Sequence, residues 1–188
     1  MASRRLRNPL AMVVLGMLAE EPLHPYGMRQ RVNERAYDRM PDVRVSSLYD
    51  TVGRLAGAGL IRADEATRDG NRPERTSYVI TPAGHESLTS WVQAALADDA
   101  DPDGLPAALA FMYSVGRDRV VLLLRGRADR LAAALDADET ELARSAESGT
   151  APIFLSEHRY LLARRRAELD WITTFVAGLE SGELGWPE

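Results

Sequence analysis

The chain has 188 residues, 45% of them apolar, no cysteine and a formal net charge of −5. That length allows one or two domains with a real core. The lack of thiols excludes a disulfide framework and a thiolate metal site and fits a reducing cytoplasm, and the acidic balance excludes a generally basic nucleic-acid coat. The charge is unevenly spread: residues 1–80 carry 13 Arg against 10 acids, and residues 81–188 carry 10 against 18. A mildly basic front half and an acidic rear half suit a reader joined to a domain that faces something else.

Arg4, Arg5 and Arg7 precede an apolar run from Pro9 to Ala19, superficially like a leader. Glu20, Glu21 and Pro22 follow it instead of a small-residue cleavage site, and the run is too short to span a bilayer. It reads as a core helix, with Leu10, Val13, Val14, Met17 and Leu18 forming an amphipathic stripe. Pro25 suits the first position of a second helix, with Leu23 and Met28 at hydrophobic-staple spacing. This helix runs to about Arg35, with Met28 and Val32 inward and Arg29, Gln30 and Asn33 outward. The segment Ala36 to Arg44 is broken by Pro41. Ser47 and Asp50 then have capping-box spacing for a third helix. In it Leu48, Val52 and Leu55 face inward, and Ser46, Ser47, Asp50, Gly53, Arg54 and Gly57 face outward. Gly59 ends it.

Leu60 to Ala66 and Arg75 to Ile80 are strand candidates. The turn between them carries Arg68 and Arg72 around an Asp-Gly pair. Helix, helix, loop, helix, strand, turn, strand is the order of a winged helix-turn-helix, whose third helix enters a DNA groove. The same pattern also fits a helix–hairpin piece of an ordinary core. Thr81-Pro82 opens a fourth helix by an N-cap and a Pro at N1, with Leu88, Trp91, Val92, Ala95 and Leu96 inward. Asp99, Asp101, Asp103 and Gly104 resemble the opening of an EF-hand loop, but Ala110 stands where the bidentate Glu belongs, so a solvated acidic linker is expected. Three helical patterns follow: Leu105 to Val115, Asp118 to about Ala146, and one starting at Pro152 and running to about Leu179. The last carries Leu161, Leu162, Leu169, Ile172, Val176 and Leu179 as its stripe, with Trp171 and Phe175 at i, i+4. Arg125, Arg127 and Arg130 read as polar positions of the helix before it. Stripes of this length bury against each other or against a second copy.

The segments VLGMLAEEPLHPYGMRQRV, SSLYDTVGRLAGAGLI and GNRPERTSYVITPAG, which together cover most of Val14 to Gly84, resemble the PadR family of bacterial transcriptional regulators. Ser47–Tyr49 and the Arg-Pro…Tyr…Thr…Gly series at Arg72–Gly84 are their most specific parts. The last ~90 residues resemble the larger PadR subgroup only in length and helical character. The resemblance implies a mainly α fold, with a winged-helix DNA-binding domain and linker helix over residues 1–97 and an α-helical dimerisation or effector domain over 98–188. It implies a cytoplasmic, ligand-responsive repressor that binds a pseudo-palindromic duplex-DNA operator as a homodimer, with no cofactor and no membrane association. Two departures touch the site: Pro25 and Gly27 flank Tyr26 where many members have Gly before and Glu after, and Ser46 stands where Gly is common.

The candidate DNA contacts are Tyr26 and Arg29 on the second helix, Ser46, Ser47, Tyr49 and Arg54 on the third, and Arg68, Arg72 and Arg75 on or beside the wing. Tyr26, Arg29 and Tyr49 suit phosphates, and the two serines sit at a helix N-terminus, where one must also cap. Arg54 either reaches a base edge or phosphate or pairs with Asp50. The wing arginines suit a minor groove. Leu88, Trp91, Leu161, Leu169, Trp171, Ile172, Phe175 and Val176 are the candidate dimer residues, with Trp171 and Phe175 open to lining an effector pocket instead. His24, His85 and His158 lack metal-ligand spacing. The competing functions are an interaction adaptor that kept the fold without binding DNA, which the overall acidity favours, and an enzyme. For the enzyme no nucleophile elbow, phosphate loop or metal helix is legible.

Overall fold

A computed structural model describes residues 8–64, 76–100 and 102–187. The chain divides into two compact units. One takes the described residues up to Leu96 together with Ala100 and 102–115. The other takes Ala97–Asp99 and the described residues from Gly116 onward.

The first unit is built on helix α1, Pro9–Glu20, capped by Asn8, whose side chain accepts the Ala11 N–H at 2.8 Å. Its burial exceeds the expected stripe. All nine residues from Leu10 to Leu18 are buried, as in a helix that is apolar all round and packed on every side. Each large aliphatic side chain so buried contributes about 1.5–3 kcal/mol. Gly16 is one reason the packing closes, because a Cβ there would overlap the ring of Phe111, itself fully buried.

Helix α2, Pro25–Glu34, buries Met28 and Val32 as expected. A 3-10 turn at Val45–Ser47 leads into α3, Leu48–Gly57, which buries Leu48, Thr51, Val52 and Leu55. The expected capping box is not formed. Ser47 lies at φ −95°, ψ 5° and its side chain makes no cap bond, because the 3-10 turn, closed by the Ser47 N–H to the Arg44 carbonyl at 2.9 Å, winds it into the helix instead of leaving it extended. The other end is as expected. Gly59 takes φ 73°, the Gly59 N–H reaches the Ala56 carbonyl, and the Leu60 N–H reaches Leu55, both at 3.0 Å. Those two bonds are a Schellman stop.

Strands β1, Ile61–Ala63, and β2, Tyr78–Ile80, pair antiparallel with Ile61 opposite Ile80 and Ala63 opposite Tyr78. They are shorter than expected among the described residues. Leu23 adds an antiparallel bridge to Tyr78, a third short edge that no periodicity announces. Helix α4, Pro82–Ala97, buries Leu88, Trp91, Val92 and Leu96. Three helices followed by a two-stranded ladder form a winged helix-turn-helix, and the remainder of the chain is helical.

Helix α5, Leu105–Ala110, and a 3-10 turn at Met112–Ser114 complete this unit. The sequence boundary at 97/98 therefore moves. Residues 102–115 pack with the winged helix, anchored by Phe111, whose ring meets Tyr37 edge-on at 5.6 Å. Beside it Glu20 accepts from Arg35 through both oxygens, at 2.7 and 2.6 Å, and from the Tyr113 hydroxyl at 3.3 Å.

The second unit is an antiparallel pair, α6 over Arg117–Glu147 and α7 over Ser156–Ser181. Pro152 opens a 3-10 turn through Leu155 and not the helix itself. Arg127, read from the sequence as one of the helix's polar positions, is wholly buried. Its Nε donates to Glu168 Oε1 at 2.7 Å, its Nη1 donates to the Asp98 carbonyl, and Nη2 lies 2.6 Å from the same carboxylate oxygen. Asp99, in the calcium-like run, accepts from Arg130 at 2.7 Å.

Candidate nucleic-acid interface

The outward face of α3 is as the sequence predicts. Tyr49, Asp50, Gly53, Arg54 and Gly57 are exposed, and nothing stands within 4 Å of a Cβ built on either glycine. Ser46 is exposed and Ser47 half-buried. Since Ser47 makes no cap bond, neither hydroxyl is committed to capping, which removes the expected competition between capping and DNA. Arg54 lies back along its own helix. It donates to Thr51 Oγ1 at 2.8 Å and weakly to the Asp50 carbonyl at 3.4 Å.

Tyr26 and Tyr49, named from two separate helices, come together. With His24 and Pro25 they line an open cleft of about 280 Å³. Both rings are large and exposed, at 49% and 58%. His24 was passed over as an unliganded histidine. It is the N-cap of α2, its Nδ1 accepting the Gly27 N–H at 2.7 Å. Its sequence signal, a polar residue just before a Pro at N1, was there to be read. Gly27 is also explained, since a Cβ there would press on the His24 ring at 3.2–3.3 Å.

The arginines of α2 divide by partner. Arg31 and Arg35 are spent on Glu20 and Glu21. The Arg35 hydrogen bond holds the Glu20 carboxyl below its ordinary range and raises Arg35 in turn. Burial, then the nearby Glu20 charge, pushes the Tyr113 hydroxyl up to about 12. Arg29 is exposed and makes no ion pair among the described residues. Two further exposed arginines were not singled out. Arg44 stands just before the 3-10 turn that leads into α3, with Asp42 only at 4.0 Å, and Arg62 lies on β1. Arg68, Arg72 and Arg75 fall outside the described residues.

The residues named for dimerisation separate into two groups. Leu88, Trp91, Ile172 and Val176 are buried in the chain itself, because each lies on the inward stripe of its own helix and has little apolar surface left to offer. Leu161 and Trp171 stay exposed at 40% and 45%, and Leu169 and Phe175 are half-buried. Trp171 and Phe175 stack at 4.9 Å with 11° between their planes.

Residues 14–90 match the model of the Transcriptional regulator PadR-like family. Among solved structures the chain is similar to Bacillus subtilis PadR in complex with operator DNA, with 20% identity, 89% of this chain and 97% of that one covered, and a TM-score of 0.41. It is likewise similar to the PadR-like transcriptional regulator BC1756 from Bacillus cereus, with 18% identity, 90% and 97% covered, and a TM-score of 0.40. Bacillus subtilis PadR in complex with p-coumaric acid gives 18%, 92% and 99%, and 0.38. Superpositions of that quality specify neither partner nor ligand for this chain. No curated protein matches it in sequence.

Proposed function

We propose that this chain, whose residues 14–90 match the model of the Transcriptional regulator PadR-like family, represses transcription as a homodimer on a pseudo-palindromic operator. The observation that carries the reading is the surface shared by α2 and α3: Tyr26 and Tyr49 exposed on one cleft, free serines at the entry to α3, and a flat Gly53–Gly57 track beyond. Exposed aromatic hydroxyls and uncommitted serines suit phosphate oxygens, which position a reader without specifying sequence. The glycines let a groove wall come close. With Arg54 as the long donor on α3, base reading is sparse, and DNA shape, the wing arginines and the spacing of two half-sites supply much of the specificity. The second copy docks through the exposed part of α7, and the protein acts in the cytoplasm, where its operator is. A small-molecule effector completes the reading.

The test is binding to a duplex from the chain's own upstream region and to a scrambled duplex, at two salt concentrations. A repressor binds the first preferentially, with an affinity that falls steeply with salt. Equal, weak binding to both duplexes sinks the reading in favour of an adaptor. Quenching of tryptophan fluorescence by a candidate compound, together with loss of operator binding, identifies an effector.

A further inference from the structure

Four polar contacts and one steric one converge where α3 ends and α4 begins. The Thr81 hydroxyl donates to the Gly59 carbonyl at 2.8 Å, with the Leu60 carbonyl at 3.1 Å as a second acceptor. The Thr81 N–H donates to the Leu60 carbonyl at 3.0 Å. The same hydroxyl oxygen accepts the Gly84 N–H at 3.1 Å, capping α4. Gly84 itself lies so close to the Leu60 carbonyl that any Cβ would overlap it. Gly59 and Leu60 are the two residues that complete the stop of α3. Thr81 therefore spans 21–22 residues of sequence to bolt the end of one helix to the first turn of another.

We propose that Thr81 and Gly84 are positioning residues for the DNA-reading helix: through Gly59 and Leu60 they fix where α3 ends and how it is rotated relative to α4. The inference rests on the reading of α3 as the DNA-contacting helix. The β1–β2 ladder holds only three residue pairs among the described residues, a short strap for an element that must be placed accurately. The lone serine-rich entry of α3 has no side-chain cap to hold its other end. A carbonyl that accepts twice and cannot be displaced by a side chain is a stiffer reference point than a solvent-exposed hairpin. Any tilt of the first turn of α4 is carried directly into Gly53, Arg54 and Gly57, because the bonds act on the residues that terminate their helix.

The experiment uses the full chain as wild type, Thr81→Val and Thr81→Ser, each titrated with the upstream duplex and the scrambled duplex and checked by circular dichroism and thermal melting. Val keeps the shape and removes the hydroxyl, and Ser keeps the hydroxyl. Thr81→Val is expected to stay folded, to lose about ten-fold in affinity for the upstream duplex, and to keep its affinity for scrambled DNA. Thr81→Ser restores wild-type binding. Gly84→Ala is expected to act in the same direction as Thr81→Val. Three results overturn the proposal: Thr81→Val binding the upstream duplex like wild type, a parallel loss on both duplexes, or a variant that no longer folds, which makes the clamp purely structural. If wild type itself prefers neither duplex, the DNA reading falls and the inference with it, a result distinct from failure of the variant alone.

Discussion

Arg127 shows how far a charge can be from its sequence reading. Arg127 sits on a long helix among Arg125 and Arg130 and looks solvated, yet it is wholly buried against Glu168 and the Asp98 carbonyl. Removing one partner of a buried pair leaves the other charge uncompensated, so Arg127→Ala is expected to destabilise the α6–α7 unit by about 3–5 kcal/mol. The double change Arg127→Met with Glu168→Leu is expected to cost far less, and urea unfolding compares the two. An equal cost for both would mean the charge itself is not what matters. Glu20 is held below its ordinary 4.5 chiefly by the Arg35 hydrogen bond. A depressed carboxylate stabilises the fold above its unfolded value, and that stabilisation is lost as pH falls through the lowered value. Unfolding of Glu20→Gln is therefore expected to be less acid-sensitive than wild type as pH falls below the ordinary carboxylate value. Identical pH profiles would show that the pair does not contribute.

Helix α3 carries a conflict between stability and purpose. Gly53 lies mid-helix, where Gly costs about 1 kcal/mol relative to Ala, and nothing stands within 4 Å of the Cβ that an Ala would add. Folding alone gives no reason for it. Gly53→Ala is expected to raise stability by about 0.5–1 kcal/mol and, on the proposed docking of α3, to weaken binding to the upstream duplex by placing a methyl against the groove wall. A gain in stability without any loss of binding would remove Gly53 from the interface. The helix ends divide by how local their causes are. The Gly59 stop and the Thr81 cap were legible because each needs only its own few residues. The Ser47 capping box failed because a competing 3-10 turn, closed through Arg44, took the same residue.

At the scale of the molecule, the proposed homodimer needs a surface that meets a second copy. The inward stripes of α4 and α7 are consumed by the chain's own core, and Leu161 and Trp171, with the half-buried Leu169 and Phe175, are among the residues of α7 that keep apolar surface. On the proposed dimer, Trp171→Glu is expected to leave helicity intact and to give a monomer in sedimentation, with half-site rather than full-operator binding. A Trp171→Glu chain that still sediments as a dimer would move the interface to another face. No helix among the described residues is long and apolar enough to cross a membrane.

The order of elements, the inward faces of α2 and α3, the glycine stop and the outward small-residue track of α3 follow from the sequence itself, because each depends on periodicity or on a few adjacent residues. Tertiary structure alone decided the rest. It surrounded α1 on all sides, drew residues 102–115 onto the winged helix through Phe111 and Gly16, buried Arg127, and brought Tyr26 and Tyr49 onto one cleft around a capping His24. It also joined Thr81 to Gly59 and Leu60. The physical reason is the same in each case. These contacts link residues far apart in the chain, and a helical or strand period says which face a residue occupies but not what that face will meet.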